Sequence, residues 1–272
     1  MAKKDAVPAV ITQDGAVSDP SQMPEWERKL LALTKTTVEA ARAPGQFFGT
    51  KSGVLTFNKI PLNNNEMEVL ITAQIFDNSY YPRPYDADKI EPPDCFALAR
   101  ATPDMPNPFM VPHENSLDIQ NHDCGSCPKA KFGTATTGTK KGKACRNMRR
   151  LSVIPAAALT DGEKARKAPA GFIRLAVYSV KEWQQYVGEL SKVGKSPHTV
   201  VTKMKLVPDV KAQHKFIFAF VSDIRDRGVL EAVTIRNELD EQDMLVPYPV
   251  RTPEEAAAAA QRPAAPAGAP SF

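Results

Sequence analysis

Three of the chain's four cysteines fall in one stretch, "HDCGSCPKAKFGTATTGTKKGKACRNMRRL", residues 122–151. Cys124-Gly-Ser-Cys127 is a C-x2-C knuckle, a spacing that lets two sulfurs turn toward one ion, with Gly125 and Ser126 small enough for the tight turn. Cys145 follows in "KGKAC", and Cys95 lies upstream in "PPDC". Four thiolates around one Zn2+ would complete the tetrahedral shell of a structural site and leave no open position for chemistry. His113 and His122 are nearby reserves for a missing ligand. Three other uses stay open for the same residues. A redox couple normally opens a helix after a strand. An iron–sulfur cluster has other common spacings. Unconnected buried thiols are the third possibility.

The same stretch is basic. Lys129, Lys131, Lys140, Lys141, Lys143, Arg146, Arg149 and Arg150 follow the knuckle with no Asp or Glu among them. A four-thiolate zinc is formally −2, which would account for two or three of these charges. The rest suit phosphate contacts, which supply affinity without reading sequence. A solvated face with no partner is the plain alternative. Rings beside such cations can stack on the bare bases of a single strand, and the candidates are Tyr80, Tyr81 and Tyr85 in "NSYYPRPYD" and Phe132 in the basic loop. Phe216, Phe218 and Phe220 alternate along a segment apolar on both faces and are expected in the core.

These residues need a scaffold, and 272 residues can bury a sizeable core. The net charge of +4 is too small to argue nucleic-acid binding by itself, so the argument rests on where the charge sits. The first 20 residues lack the apolar core of a signal peptide, and no apolar run is long enough to span a bilayer. A soluble, cytoplasmic protein is expected, and in a reducing compartment thiols seldom form disulfides.

Residues 1–23 read as a flexible arm, and "PEWERKLLALTKTTVEAARAPG" as a helix between Pro24 and Pro44-Gly45. A two-residue period marks strands in "QFFGTKSGVLTFNKI", "EMEVLITAQIF", "RRLSVIPAA", "GFIRLAVYSV", "HTVVTKMKLV" and "HKFIFAFVSDI". "SVKEWQQYVGELSKVG" predicts a helix with a Ser179/Glu182 capping box, a stripe of Trp183, Tyr186, Val187, Leu190 and Val193, and Gly194 as its stop. "GVLEAVTIRNELDEQD" predicts a second helix, with its acidic end solvated. The expected class is α+β: an OB-like β-barrel core with a zinc-binding loop insertion at about 90–150 and flanking helices. It would occupy residues 24–246 as one domain, followed by a mobile Ala/Pro-rich tail at 247–272.

No Walker loop, G-x-S-x-G, H-E-x-x-H or His-paired nucleophile is present, so the expected role is non-enzymatic. The combination "PPDCFALA", "HDCGSCPKAKFGTA" and "GKACRNMRRLSVIP" resembles a family of bacteriophage proteins, with the pattern P-P-x-C-[FY], then C-x2-C-P with an aromatic-Gly, then G-K-x-C-x-x-x-R-x-L. The likeness covers about residues 47–155. It implies that Cys95, Cys124, Cys127 and Cys145 take the family's four cysteine positions, and that Lys143, Arg149 and Arg150 lie in its basic stretch. The implied role is sequence-independent single-stranded DNA binding in phage replication or recombination, in the host cytoplasm. Replication or recombination proteins would be further partners. The plan is similar to that of zinc-containing phage single-stranded DNA-binding proteins, whose zinc lies in an insertion on an OB-fold. The tail departs from the acidic ends common in such proteins: "RPAAPAGAPSF" is nearly uncharged, and only Phe272 matches their apolar tip. The alternative is a zinc-stapled interaction or scaffold factor that docks on a replication or transcription protein.

Overall fold

The computed structural model describes residues 46–57, 59–83, 91–102, 104–135 and 141–250, with isolated positions at 10–11, 17–18, 24–25, 29 and 254. The expected arm, the helix after Pro24, Tyr85, Lys140 and nearly all of the tail lie outside the described residues. The chain divides into two units, Met1–Pro44 and Gly45–Phe272. In the first, Val10–Ile11 pairs antiparallel with Val17–Ser18, and Lys29 pairs with Glu25 at 2.8 Å.

The second unit is α+β and is built on one long strand. Its elements are β1 (Gln46–Phe47), β2 (Thr56–Phe57), β3 (Ile60–Pro61), β4 (Glu66–Tyr80), β5 (Cys95–Arg100), β6 (Cys145–Pro155), β7 (Gly171–Leu175), β8 (Val200–Asp209) and β9 (Gln213–Asp223). Helices α1 (Gly162–Lys167), α2 (Val177–Lys192) and α3 (Arg227–Met244) complete it. The main sheet runs β9-β8-β4-β6-β7-β1, with β5 also on β4. All its pairings are antiparallel except β1 with β7. Along one edge β4 pairs first with β8 at Glu66–Val69 and then with β5 at Ile75–Tyr80. Its other edge pairs with β6 from Val69 to Tyr80. The two ends of the order, β9 and β1, are not joined to each other, so the described strands form an open sheet and not the closed barrel expected from the sequence.

The run "VLITAQI" explains this central position. It is apolar on both faces, and both faces are covered. Val69 and Ile71 join Leu151, Val153, Trp183, Tyr186 and Leu190 under α2. Leu70 and Ile154 join Val229, Ala232 and Val233 under α1 and α3 on the opposite face. A bulge at Thr72 shifts the register between Ile71 and Ala73. The extra residue is satisfied by side chains: Thr72 Oγ1 bonds to Ser152 (2.9 Å) and to Asp240, while Asn237 donates to the Thr72 carbonyl at 2.8 Å. Asp240 is therefore buried and paired with Arg236 at 3.4 Å, and is not part of a solvated acidic end. The Arg236 guanidinium in turn caps the carbonyls of Ala165, Arg166 and Ala168 at the end of α1.

Helix α2 starts earlier than its sequence pattern suggests. Its first turn opens at Val177, so Ser179 lies inside the helix and its hydroxyl accepts the Phe216 amide of β9 at 2.9 Å. Glu182 pairs with Lys215 at 2.7 Å in place of a capping box. The stop is as expected. Gly194 takes φ +70°, and Lys195 N–H reaches the Leu190 carbonyl in a Schellman closure. Val193 falls beyond the last turn and is exposed. The expected strand at 46–60 is broken into β1, β2 and β3 by a short 3-10 turn and by positive φ at Ser52, Gly53 and Lys59.

Gly162 and Gly228 set how closely α1 and α3 approach. A Cβ on Gly162 would sit 2.4 Å from the Gly228 carbonyl oxygen and 2.6 Å from its carbon. Backbone cannot give way as a side-chain tip can. Gly162→Ala is therefore expected to destabilise by about 1–3 kcal/mol, although Gly→Ala in an open helix usually stabilises. Thermal unfolding of this variant beside Gly188→Ala, where nothing lies within 4 Å, checks the sign.

Candidate metal centre and nucleic-acid interface

Strand register places two of the four thiols. Tyr80 at the end of β4 stands opposite Cys95 on β5 and opposite Cys145 on β6. Directly opposed residues share a sheet face, so Cys95 and Cys145 flank Tyr80 on one face at one end of the sheet. The knuckle reaches the same place through the segment between β5 and β6. Cys124 N–H donates to the Met110 carbonyl at 2.9 Å, and Asn78 of β4 holds Met110 by its sulfur at 3.3 Å. Asp123 shapes the turn: its carboxylate accepts the Ser126 amide at 2.7 Å and the Ser126 hydroxyl. These bonds, the hydroxyl first, hold the Asp123 carboxyl below the usual range.

Cys95, Cys124, Cys127 and Cys145 together line one cavity of about 10 Å³, with Tyr80, Asp123 and Lys129 also in its wall. That is room for about one water-sized body. All four cysteines are free thiols. Burial pushes Cys145 up to about 12 and Cys124 up to about 11, and raises Cys95 as well. At neutral pH the thiols of Cys95, Cys124 and Cys145 are thus protonated when no metal is bound. Among the described residues no group of three or more His, Cys, Asp or Glu has the arrangement that a bound ion requires. The residue types nevertheless suit a soft cation: four cysteines line one small space, without a histidine among its lining residues. His113 stacks on Phe96 at 5.0 Å and His122 is exposed beside Asp123, so neither reserve ligand lines the cavity.

The basic residues divide into two sets. Lys131, Phe132 and Lys141 are exposed, with Phe132 at 79% and therefore almost fully bare. Phe132 forms a β-bridge with Lys143, whose ammonium lies 5.0 Å from the ring centre, and Gly133 N–H bonds to the Gly142 carbonyl at 3.0 Å. The loop that begins at the knuckle is thereby folded back beside Cys145. Lys143 also reaches Asn147 Oδ1 at 3.1 Å. Further along β6, Arg149 is half-buried with its guanidinium 3.6 Å from the Phe76 ring centre. Lys143 with Phe132 and Arg149 with Phe76 are thus two cation–aromatic pairs.

The second set points inward. Arg150 is 2% exposed and is no surface phosphate contact. Its Nε donates to Asp77 at 2.8 Å, and its Nη1 donates to the carbonyls of Met244 and Val246. Tyr248 completes the arrangement, donating to Asp77 Oδ2 at 2.9 Å; burial pushes its hydroxyl pKa up and keeps it a donor. Arg150 clamps the chain after α3 onto the sheet. Tyr80 is 6% exposed, with Lys129 5.3 Å over its ring, so neither is presented as the sequence suggested. Tyr81 and Arg146 form a partly exposed pair at 5.7 Å, on the opposite face from the thiols because Arg146 is one residue out of phase with Cys145. Arg174 and Phe47, which sequence reasoning missed, lie on that face at 5.7 Å. Arg174 sits in an otherwise apolar strand, the one signal that could have marked it. Of the three alternating phenylalanines, Phe216 is buried and Phe218 packs on Trp183, but Phe220 is exposed.

No family model, no curated protein and no solved structure matches this chain.

Proposed function

We propose that the chain binds single-stranded DNA with little sequence preference, as a non-enzymatic protein of phage replication or recombination stabilised by a structural zinc. The observation that carries this reading is Phe132: a bare ring beneath Lys143, between Lys131 and Lys141, on a loop whose two ends meet at the four-thiol cavity. Cys95, Cys124, Cys127 and Cys145 would hold the ion, which would supply no chemistry beyond fixing the loop. An exposed ring offers a stacking surface to any base, and the lysines meet the phosphates on either side. The OB-like groove belongs to the same proposal. It rests on β4, which serves β8 and β5 in turn along one edge.

The test is fluorescence anisotropy of labelled oligo-dT against a duplex of equal length at several salt concentrations. The single strand is expected to bind preferentially. Phe132→Ala is expected to lose about 1–3 kcal/mol of affinity per stacked base. Lys131→Ala with Lys141→Ala should flatten the salt slope by about 0.7 for each phosphate that the variant leaves unneutralised. Absence of binding at low salt by metal-replete protein would end the reading. One observation favours the alternative, a zinc-stapled docking factor: Phe109, at 69% exposure, and Val111 and Ile119 leave apolar surface bare on the same insertion. A pull-down that survives nuclease would support it.

A further inference from the structure

Among the described residues, β9 is an edge strand whose outer side pairs with no other strand. Natural edges are usually blunted by Lys, Pro or a short length. This strand is eleven residues long, and its stretch "FIFAFVS", 216–222, carries no charge and no proline. The direction of its free groups is fixed by one bond. The Phe216 amide points outward to Ser179, so by alternation the N–H and C=O groups of Phe218 and Phe220 also face outward. The register shift opposite Val201 and Thr202 leaves Val221 unpaired and ends this regular stretch. Beside the same edge, a cavity of about 420 Å³ opens on the α2 side, lined by Tyr186, Leu190, Val193, Lys195, Phe218 and Phe220.

We infer that this edge pairs antiparallel with the same edge of a second copy, making one continuous sheet across a twofold axis. With the Phe216 amide already held by Ser179, one register pairs both remaining outward sets of groups, those of Phe218 and Phe220. It sets Phe218 against the partner's Phe220, and Phe220 against the partner's Phe218, with Ala219 against the partner's Ala219 on the axis. Aromatic then faces aromatic, and the smallest side chain meets itself where the backbones come nearest. The partner's Phe220 enters the open cavity, and no like charges oppose each other over the paired stretch. The occupant is a second copy because one uncharged segment supplies both halves of this match, as an isologous contact requires. The inference does not depend on nucleic-acid binding.

Full-length metal-replete protein is the material for the test, by sedimentation or light scattering at roughly 100 µM, above the micromolar Kd that a small interface supports. The wild type is expected to be a dimer and Phe220→Lys a monomer with an unchanged circular dichroism spectrum. Ala219→Cys should form a disulfide-linked dimer on mild oxidation, since a non-hydrogen-bonded pair brings the two Cα atoms to about 4.5 Å. Val210→Cys, at the exposed β8–β9 turn, should not. A monomeric wild type at that concentration overturns the inference. So does a dimer that Phe220→Lys leaves intact and Ala219→Cys fails to trap.

Discussion

Arg150→Ala is expected to cost the fold about 3–5 kcal/mol, the usual penalty for removing one partner of a buried ion pair. Asp77 is fully buried and would lose its 2.8 Å partner, while the Met244 and Val246 carbonyls would lose their donor. Tyr248 and Arg174 remain near Asp77, at 2.9 and 3.5 Å, which favours the lower end of the range. For a unit of this size the melting temperature should fall by about 6–20 °C. The affinity of the folded fraction for oligo-dT should be unchanged. Replacing both partners by apolar residues should cost less than the single change, because no unpaired charge is left behind. Denaturant unfolding and anisotropy on the same preparations separate the two roles. A stable Arg150→Ala protein with weakened DNA binding would return this arginine to the nucleic-acid surface.

Purified protein is expected to carry about one zinc per chain, and Cys124→Ser or Cys145→Ser to carry almost none, by elemental mass spectrometry. Loss of the ion should release the segment between β5 and β6, where 3-10 and irregular backbone have little core of their own and the ion's binding energy becomes folding energy. Limited proteolysis should then cut between about residues 101 and 144, and oligo-dT affinity should fall with it. The pH dependence has a fixed sign. Binding the ion displaces protons from thiols that burial holds at about 11 and 12, so loading strengthens as pH rises and the metal is lost on acidification. Without the ion the sign reverses. The folded thiols keep protons that unfolded ones, titrating near 9, release, so metal-free stability falls as pH climbs from about 9 through 12. A preparation free of metal, with unchanged proteolysis in the serine variants, would remove zinc from the proposal. One with iron would point to a cluster.

Much of the scaffold was legible because it depends on local pattern. The segment that became β4 is rich in Val, Leu and Ile at strand spacing, which marks a strand from local pattern alone. The α2 stripe of Trp183, Tyr186 and Leu190 has the helical period, and Gly194 stops it because a left-handed residue costs glycine nothing. The α2 start was misplaced for an equally physical reason. Ser179 has the chemistry of a cap, but a hydroxyl also satisfies an edge-strand amide, and only the neighbour's position decides which it does. Asp240 was missed in the same way. In sequence it belongs to an acidic helix end, yet it turns inward to a bulge and an arginine that are distant along the chain.

By itself, then, the sequence determined the α+β class, the nearness of Cys124, Cys127 and Cys145 along the chain, and a basic loop with one aromatic inside it. These follow from residue type and short-range spacing, which do not change on folding. Tertiary structure decided which basic residues face solvent. Arg149 and Arg150 are adjacent in sequence, but consecutive strand residues point to opposite faces. One therefore lies over Phe76, while the other is buried on Asp77. It also decided that Cys95 belongs with the other three, although twenty-eight residues separate it from Cys124. Two strands paired to the same tyrosine set its place, and strand pairing is long-range in sequence.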